Sequence, residues 1–324
     1  MRYLRPLPAP DGPRLAGGWL RFDRVLALSR GGAREVLPVA ELTADELAAL
    51  TAPRPDIAGL AFDAPRIMGI LNVTPDSFSD GGRHLDPADA LARAATMAEA
   101  DILDVGGEST RPGATEVPAA EEIARVAPVL AALGHRRVSI DTRKGAVARA
   151  ALDAGAALVN DVSALRFDPD MAATVAAADA PICLMHAGGP PETMQDDPRY
   201  DDPVLDIYDA LSERIAAAEA AGIARSRIIA DPGIGFGKTE AHNLALLRDI
   251  GVFHGLGVPI LLGASRKRFI GSIGAAAQAD ARMPGTLAVT LAAVAQGVQL
   301  HRVHDVAEVA QGLKLWRAVE GNRA

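Results

Sequence analysis

Polar side chains recur along this chain at the ends of short, uncharged, apolar runs. Asn72 closes the run that begins at Ile67, and Asp141 closes the run that begins at Val138. The residues at or just past such ends are Asn72, Glu108, Asp141, Asn160, His186, Asp231, Ser265 and His304. Runs of this kind predict buried β-strands. Eight polar residues in this position predict a shared site if the fold brings the strand ends together.

Three of these residues, Asp141, Asn160 and Asp231, could bind a flat polar heterocycle. A fused ring such as a pterin presents amino and ring N–H donors along one edge. Carboxylates accept from such donors, and an amide can either donate or accept. The alternative is that each residue caps the helix that follows it. We favour ring binding because three such residues at three strand ends are difficult to explain by capping alone.

Cationic side chains follow the last two predicted strands. Ser265–Arg268 carries three cations where a helix begins, and Arg302 and His304 lie two residues apart on an extended segment. A helix start and positive charge both attract anions. A solvated basic patch is the alternative for Ser265–Arg268. Taken together, these groups predict a site for phosphate or diphosphate.

The Gly-rich segment Asp231–Lys238 matches neither of two known phosphate loops. The Gly required by a Walker A motif is replaced by Pro232, and the glycines are not spaced as in a dinucleotide-binding fingerprint. ATP and NAD are therefore not predicted. We expect the glycines to let the backbone pass close to a flat ligand, with Phe236 near its face.

The elements that must position these residues alternate along the chain between strand-like and Ala-rich helical runs. The predicted strands are Ile67–Asn72, Ile102–Gly106, Val138–Asp141, Leu158–Asp161, Ile182–His186, Ile228–Asp231, Ile260–Gly263 and Gln299–Val303. The predicted helices include Pro87–Glu99, Ala119–Leu133, Lys144–Ala154, Pro203–Ala221 and Ala241–Ile250. Eight β/α units over about 250 residues predict an α/β fold, a (β/α)8 TIM barrel, with an open doubly wound sheet as the alternative. The barrel is favoured because its strand ends surround one mouth.

Residues 1–65 differ in character from the barrel segment, 66–320. Trp19–Leu28, a Gly31-Gly32 turn and Glu35–Val39 predict a hairpin, followed by a short helix near Ala44–Leu50. No cluster of reactive side chains is evident there. We expect this N-terminal extension to be a flap or plug without a chemical role.

Composition limits the possible partners and compartment. The formal net charge of −8 argues against general binding to nucleic acid or a membrane surface. Cys183 is the only cysteine, so an intrachain disulfide and a multi-cysteine metal site are excluded. No apolar run approaches the length of a membrane span. We expect a cytoplasmic protein.

The motifs resemble those of the dihydropteroate synthase family. Met-Gly-Ile-Leu-Asn-Val-Thr-Pro-Asp-Ser-Phe-Ser-Asp-Gly-Gly begins at Met68, and Asp-Val-Gly-Gly-Glu-Ser-Thr-Arg-Pro-Gly begins at Asp104. Asp231–Lys238, Ser265–Lys267 and Arg302–Asp305 follow in the family's order. The resemblance covers about residues 66–318 and leaves the extension without inherited roles.

This resemblance implies a TIM barrel of folate biosynthesis, usually a homodimer. Its reaction joins 6-hydroxymethyl-7,8-dihydropterin diphosphate to 4-aminobenzoate, with Mg²⁺ as cofactor, and gives 7,8-dihydropteroate and diphosphate. The implied pterin-binding residues are Asp141, Asn160, Asp231 and Lys267, with Met185 and Phe236 against the ring. The implied residues of the diphosphate site are Asn72, which also faces Mg²⁺, Thr110, Arg302 and His304, with Ser265 as a further substrate-binding residue.

The resemblance also implies that two mobile loops complete the aminobenzoate pocket. Their residues are Phe78, Asp80, Arg111 and Pro112. The catalytic group would be Asp80, Lys267, Arg302 and His304. Many relatives have Ser where this chain has Arg268, so Arg268 or backbone N–H groups would receive the aminobenzoate carboxylate.

Two rival hypotheses remain. A pterin-binding methyltransferase domain would share the barrel and the pterin pocket, but it has no use for a diphosphate site. A catalytically inactive barrel that serves as a partner protein would not require complete motifs. A turnover assay separates these hypotheses from the first.

Overall fold

The computed structural model describes residues 2–74, 87–109, 114–190 and 193–320. The strands of the N-terminal extension are β1 (Tyr3–Arg14), β2 (Arg21–Leu28) and β3 (Arg34–Pro38). The later strands are β4 (Arg66–Asn72), β5 (Ile102–Gly106), β6 (Val138–Asp141), β7 (Leu158–Asp161), β8 (Ile182–Met185), β9 (Ile228–Asp231), β10 (Leu261–Leu262) and β11 (Leu300–Val303). The helices are α1 (Ala44–Thr51), α2 (Pro87–Thr96), α3 (Ala119–Leu133), α4 (Gly145–Asp153), α5 (Met171–Ala177), α6 (Pro203–Ala220), α7 (Glu240–Arg248), α8 (Arg268–Ile273), α9 (Met283–Val294) and α10 (Val306–Val319).

The eight later strands form one parallel sheet in the order β10-β11-β4-β5-β6-β7-β8-β9. A parallel bridge between Ala230 and Ile260 joins β9 to β10 and closes the sheet into a barrel. The predicted TIM barrel is therefore confirmed. The alternative of an open sheet is wrong, because an open sheet has two unpaired edges.

The strand register places polar residues side by side at the carboxyl end of the barrel. Asn72 pairs with Gly106, Gly106 with Asp141, and Asp141 with Asn160 on four consecutive strands. Because side chains alternate along a strand, residues two positions apart share a face. The residue two positions before Gly106 is Asp104, so it lies one layer deeper on the same inner face.

The amino end of the barrel is filled by apolar side chains. Ile57, Leu60 and Phe62 from the extension pack there against residues of the inner strand faces. Those partners are Met68, Ile102, Leu158, Cys183, Ile229, Leu261 and Leu300. The extension therefore plugs the end of the barrel opposite the polar residues, which agrees with the predicted plug.

The rest of the extension forms a three-stranded antiparallel sheet with its own apolar core. The predicted hairpin corresponds to β2 and β3, and the predicted helix corresponds to α1. The edge strand β1 was missed, because the prolines in its sequence argue against a strand. Prolines are tolerated at a sheet edge, where a missing N–H donor leaves no ladder bond unmade.

Ion pairs fasten this sheet to the outside of the barrel. Arg5 and Arg34 both pair with the buried Asp249 that follows α7, at 2.8 and 2.7 Å. Arg30 pairs with Asp206 and Asp209 of α6. Among the described helices, none has both the length and the apolar character needed to cross a membrane.

Candidate active site

Two carboxylates and an amide meet an arginine inside the carboxyl end of the barrel. The Nε of Arg302 donates to Asp104 Oδ2 at 2.6 Å, and its Nη2 donates to Asp141 Oδ2 at 2.6 Å. Asn160 Nδ2 donates to the same Asp104 oxygen at 3.0 Å. The predicted pterin residues Asp141 and Asn160 are thus adjacent. Arg302, predicted for the diphosphate, lies against Asp104 and against the predicted pterin residue Asp141.

Burial changes the protonation of this group. Asp141 is almost completely buried, and burial raises its pKa to about 7, although the nearby Arg302 cation acts in the opposite direction. A carboxylate removed from water is destabilised in its charged form, and a nearby cation restores only part of the lost stabilisation. Asp141 can therefore gain or lose a proton near neutral pH.

Asp231 ends β9 beside a loop that requires glycine. Its Oδ1 accepts a hydrogen bond from the Gly233 backbone N–H at 2.7 Å. Burial raises the pKa of Asp231 to about 6, while the Gly233 bond lowers it. A Cβ on Gly233, which has a φ of +68°, would lie 1.9 Å from the carbonyl oxygen of His186. The glycine thus allows close packing between the loops after β8 and β9, while our expectation of close approach to a flat ligand stays a prediction.

An apolar surface adjoins these acceptors. Met185, Val162 and Ala187 form a small buried cluster against which Phe236 packs. The ammonium of Lys267 lies 3.9 Å from the centre of the Phe236 ring. A cation over an aromatic face is attracted by the ring quadrupole. The predicted pterin residues Met185, Phe236 and Lys267 are thus brought together.

The segments after β10 and β11 are joined through polar contacts. Ser265 Oγ accepts from the backbone N–H of His304 at 3.1 Å and lies 3.0 Å from His304 Nδ1. Arg266, in the left-handed region with a φ of 58°, forms an ion pair with Asp305. One of the three cations predicted to attract an anion is therefore already paired. Ser265, predicted to bind substrate, lies against His304.

Asn72 lies at the end of β4, next to the space that Gly106 leaves. A Cβ on Gly106 would lie 3.6 Å from Asn72 Oδ1 and 3.5 Å from Asp141 Cβ. An amide oxygen suits Mg²⁺, which is commonly held by one or two protein oxygens together with waters and substrate phosphates. Asn72 fits such a site. The described residues contain no cluster of three acidic, histidine or cysteine side chains that could hold a metal.

Two of the eight strand-end residues do not face the mouth. Glu108 is bound by Lys144 at 2.8 Å and Arg143 at 3.2 Å, both of which follow β6. His186 follows the inward-facing Met185 and therefore points to the other face, where Lys238 Nζ lies 3.0 Å from its Nδ1. The expectation that all eight converge is wrong for these two. His186 lies one residue past the end of β8, which reverses the direction of its side chain, and Glu108 is held by the cations that follow β6.

Buried residues missed by the sequence analysis support the site. Asp104 contacts both Asn160 and Arg302. Lys238 donates to the carbonyl oxygens of Phe236 at 2.9 Å and His186 at 3.3 Å, and burial lowers its pKa to about 7. The phase of β5 could have identified Asp104, since it precedes Gly106 by two. The predicted residues Phe78, Asp80, Thr110, Arg111 and Pro112 lie outside the described ranges.

Comparison with known proteins decides between the hypotheses. The family model described as pterin binding enzyme matches residues 68–304. Dihydropteroate synthase of Escherichia coli K12 is 44% identical over 259 residues, which are 78% of this chain and 91% of the relative. The chain belongs to the dihydropteroate synthase family of pterin-binding enzymes. The predicted family is confirmed.

Solved structures agree with this assignment. A Xanthomonas albilineans dihydropteroate synthase with 4-aminobenzoic acid is 48% identical, with a TM-score of 0.77, over 84% of this chain and 99% of that one. The same organism's enzyme in complex with 7,8-dihydropteroate is 44% identical, with a TM-score of 0.74, over 83% and 99%. A Yersinia pestis dihydropteroate synthase bound to a sulfonamide drug is 43% identical, with a TM-score of 0.77, over 81% and 96%.

The chain is thus a transferase of folate biosynthesis. It condenses 6-hydroxymethyl-7,8-dihydropterin diphosphate with 4-aminobenzoate to give 7,8-dihydropteroate and diphosphate. The predicted function is confirmed. The roles of individual site residues stay predictions.

Proposed function

We propose that the pterin lies with its donor edge against Asp141, Asn160 and Asp231 and with its face on Phe236 and Met185. The observation that carries this proposal is the adjacency of buried acceptors to an apolar surface. A buried acceptor that has lost water regains hydrogen bonds when it meets an N–H donor. Asp141 Oδ1 is such an acceptor, because no described residue donates to it.

Lys267 closes the opposite side of this ring site. Its ammonium lies over Phe236, and its side chain passes the backbone of Gly235, where a Cβ would lie 3.2 Å from Lys267 Cδ. A cation beside the ring favours the electron-rich carbonyl side of a pterin. The acceptors Asp141, Asn160 and Asp231 on one side and the Lys267 cation on the other therefore distinguish the two polar edges of the heterocycle.

The diphosphate would lie next to Arg302 and His304. Arg302 donates to Asp141, and His304 follows Arg302 by two residues, one past the end of β11. The two side chains would stabilise negative charge on the departing diphosphate. Mg²⁺ held at Asn72 would supply further positive charge to the diphosphate oxygens.

The bond changes are a substitution at the pterin methylene carbon. The carbon–oxygen bond to diphosphate breaks first, with its electron pair going to the leaving group. The neutral amine of 4-aminobenzoate then forms the carbon–nitrogen bond and loses a proton to solvent. Charge stabilisation of the leaving group is the main requirement, so no strong base is needed. Asp80, Arg111, Phe78 and Pro112 keep the roles that the family resemblance implies.

A turnover assay tests the proposal. The protein is mixed with Mg²⁺, the pterin diphosphate and 4-aminobenzoate, and dihydropteroate is detected by mass. We expect product, and a strong loss of product with Arg302→Met. Turnover of Arg302→Met equal to that of the unaltered protein would contradict the role proposed for Arg302.

A homodimer would use helix α9. This helix contains no charged residue, and its solvent-facing positions include Pro284, Ala288 and Ala292. It packs against α8 and α10. Each of these helices exposes a large apolar side chain, Ile273 at 58% and Leu315 at 65%. Exposed apolar side chains on neighbouring helices are typical of interaction sites. A second copy of this chain is the proposed partner, in a cytoplasmic enzyme.

Sedimentation measurements test the dimer. Ala292→Glu places a charge on this surface and should convert dimers to monomers. The matched control is Ala216→Glu on the exposed face of α6, which should leave the mass unchanged. Equal masses for both variants would exclude α9 as the interface.

A further inference from the structure

Asp104 is a buried charge within the site, and the family resemblance described above assigns it no role. It lies in the middle of β5 and is 0% exposed. Its strand partners are Ile70 of β4 and Ser139 of β6. Asp104 therefore lies below the row formed by Gly106, Asp141 and Asn160. A carboxylate in this position loses its hydration, so its contacts must compensate for that loss.

The contacts of Asp104 determine which partner donates each hydrogen bond. As the ion-pair partner of Arg302, Asp104 is a carboxylate, and a carboxylate can only accept hydrogen bonds. Asn160 lies with Nδ2 at 3.0 Å from Asp104 Oδ2, so the amide must direct its NH₂ group downward to Asp104. The amide oxygen of Asn160 is then directed away from Asp104. An isolated Asn has two orientations that differ little in energy, and the carboxylate removes one of them.

Arg302 is held by the same oxygen. Its Nε donates to Asp104 Oδ2 at 2.6 Å, while its Nη2 reaches Asp141. The remaining oxygen, Asp104 Oδ1, is buried and has no hydrogen-bond partner among the described residues. Asp104 thus acts through two neighbours, Asn160 and Arg302, that are both placed in the substrate site.

We propose that Asp104 is a positioning residue that makes Asn160 a hydrogen-bond acceptor toward the substrate and so completes an acceptor-only floor. This inference rests on the proposed pterin site. The floor then consists of Asp141, the Asn160 oxygen and Asp231. Such a floor selects heterocycles whose facing edge carries N–H donors, as an aminopyrimidinone ring does. A heterocycle that presents a carbonyl to the same floor would leave two acceptors facing each other.

The test removes either the charge or the accepting oxygen at position 104. In Asp104→Asn the charge is lost, but Arg302 can only donate, so the amide oxygen faces Arg302 and still accepts from Asn160. In Asp104→Leu no acceptor remains at position 104, so Asn160 regains both orientations.

Binding of 6-hydroxymethylpterin is measured by calorimetry without Mg²⁺ or diphosphate, with the melting temperature as a check of folding. We expect Asp104→Leu to weaken binding about tenfold to a hundredfold, as for a lost buried hydrogen bond. Asp104→Asn should keep most of the affinity, because it keeps the oxygen that accepts from Asn160. Asn160→Asp alone should also bind weakly, because two carboxylates would then face each other. Ser139→Ala is the matched control, because Ser139 is buried beside Asp104 on β6. This variant should bind pterin with the affinity of the unaltered protein.

Two results would overturn the proposal. Unchanged pterin affinity in folded Asp104→Leu would show that the orientation of Asn160 does not depend on an acceptor at position 104. Binding in Asp104→Asn as weak as in Asp104→Leu would show that the charge at position 104, acting through Arg302, sets the affinity. If Asp104→Leu does not fold, weak binding in folded Asp104→Asn still overturns the proposal. Failure of the unaltered protein to bind pterin would instead contradict the proposed site.

Discussion

At the scale of single residues, the site depends on carboxylates that are difficult to keep charged. Burial raises the pKa of Asp141 to about 7 and that of Asp231 to about 6. Each group accepts hydrogen bonds from a pterin edge at both oxygens only in its charged form, because protonation turns one oxygen into a donor. A protonated carboxyl group would present a donor to a donor. The affinity for pterin is therefore linked to the protonation of these two groups.

Pterin binding should weaken as the pH falls. At pH 8.5 both carboxyl groups are charged, and below about pH 6 both gain protons, so the dissociation constant should rise across that range. Calorimetry with 6-hydroxymethylpterin from pH 8.5 to pH 5.5 measures the effect. A dissociation constant that does not vary with pH would mean that neither carboxylate contacts a ring donor.

Asp231→Asn should weaken pterin binding at every pH. The amide oxygen can keep the bond from the Gly233 N–H, so the loop retains its shape, but an NH₂ group replaces the second oxygen. The lost hydrogen bond and the new unpaired donor cost about 1–3 kcal/mol. A pterin titration of this variant measures the loss. The assignment of Asp231 would be wrong if the folded variant bound pterin as well as the unaltered protein.

At the scale of elements, the loops after β8 and β9 support each other. The Lys238 ammonium bonds to the carbonyl oxygens of His186 and Phe236, one in each loop. Gly233 and Gly237 allow the two backbones to touch, since a Cβ on Gly237 would lie 2.6 Å from Gly188 Cα. The position of Phe236 is therefore set by backbone contacts as well as by its own packing.

Gly233→Ala should destabilise the protein and weaken pterin binding together. The new Cβ would overlap the His186 carbonyl oxygen, and the left-handed backbone adds about 1 kcal/mol. The matched control is Gly155→Ala, because Gly155 has a φ of +96° with no atom within 4 Å of the added Cβ. Thermal unfolding and pterin titration of both variants separate the effect of the steric overlap from that of the left-handed backbone. Equal behaviour of both variants would mean that the loop contact is unimportant.

Strand boundaries were predictable where apolar runs were short and ended in a polar residue. Four predicted strands, including Ile102–Gly106 and Val138–Asp141, agree with the structure at both ends. Such runs do not specify how neighbouring strands pair, so the contact of Asp104 with Asn160 could not be predicted. His186 was wrongly assigned to the mouth because its strand was predicted one residue too long. A difference of one residue reverses the direction of a side chain on a strand. The strand register and the end of β8 both depend on how all the strands pair in the folded barrel.

At the scale of the whole molecule, the extension joins the barrel in two ways. Ile57, Leu60 and Phe62 fill its amino end, and the β1–β3 sheet covers its side through ion pairs. The plug lies at the amino end, opposite the site residues, while Arg30 reaches the first turn of α6, which begins on the carboxyl side of the barrel. The extension is therefore expected to affect stability and not the chemistry.

Two truncations separate these contributions. A protein that begins at Pro53 keeps the plug and should retain the Michaelis constants of both substrates with a lower melting temperature. A protein that begins at Asp63 loses three buried apolar side chains, each contributing about 1.5–3 kcal/mol, and should be much less stable. Steady-state kinetics and thermal unfolding measure the two effects. A selective loss of 4-aminobenzoate binding in the longer protein would show that the extension takes part in the site.

The closure of the barrel has a consequence for its motion. Between β9 and β10 the ring is completed by one bridge, with the Ala230 N–H donating to the Pro259 carbonyl oxygen at 2.9 Å. The other strand pairs have longer ladders, so local opening should begin at this seam. Amide hydrogens there should exchange with deuterated water sooner than those in the middle of β5. Asp231 lies on one side of the seam and Lys267 follows the other, so the barrel can change the separation of these two groups without breaking any other strand pair.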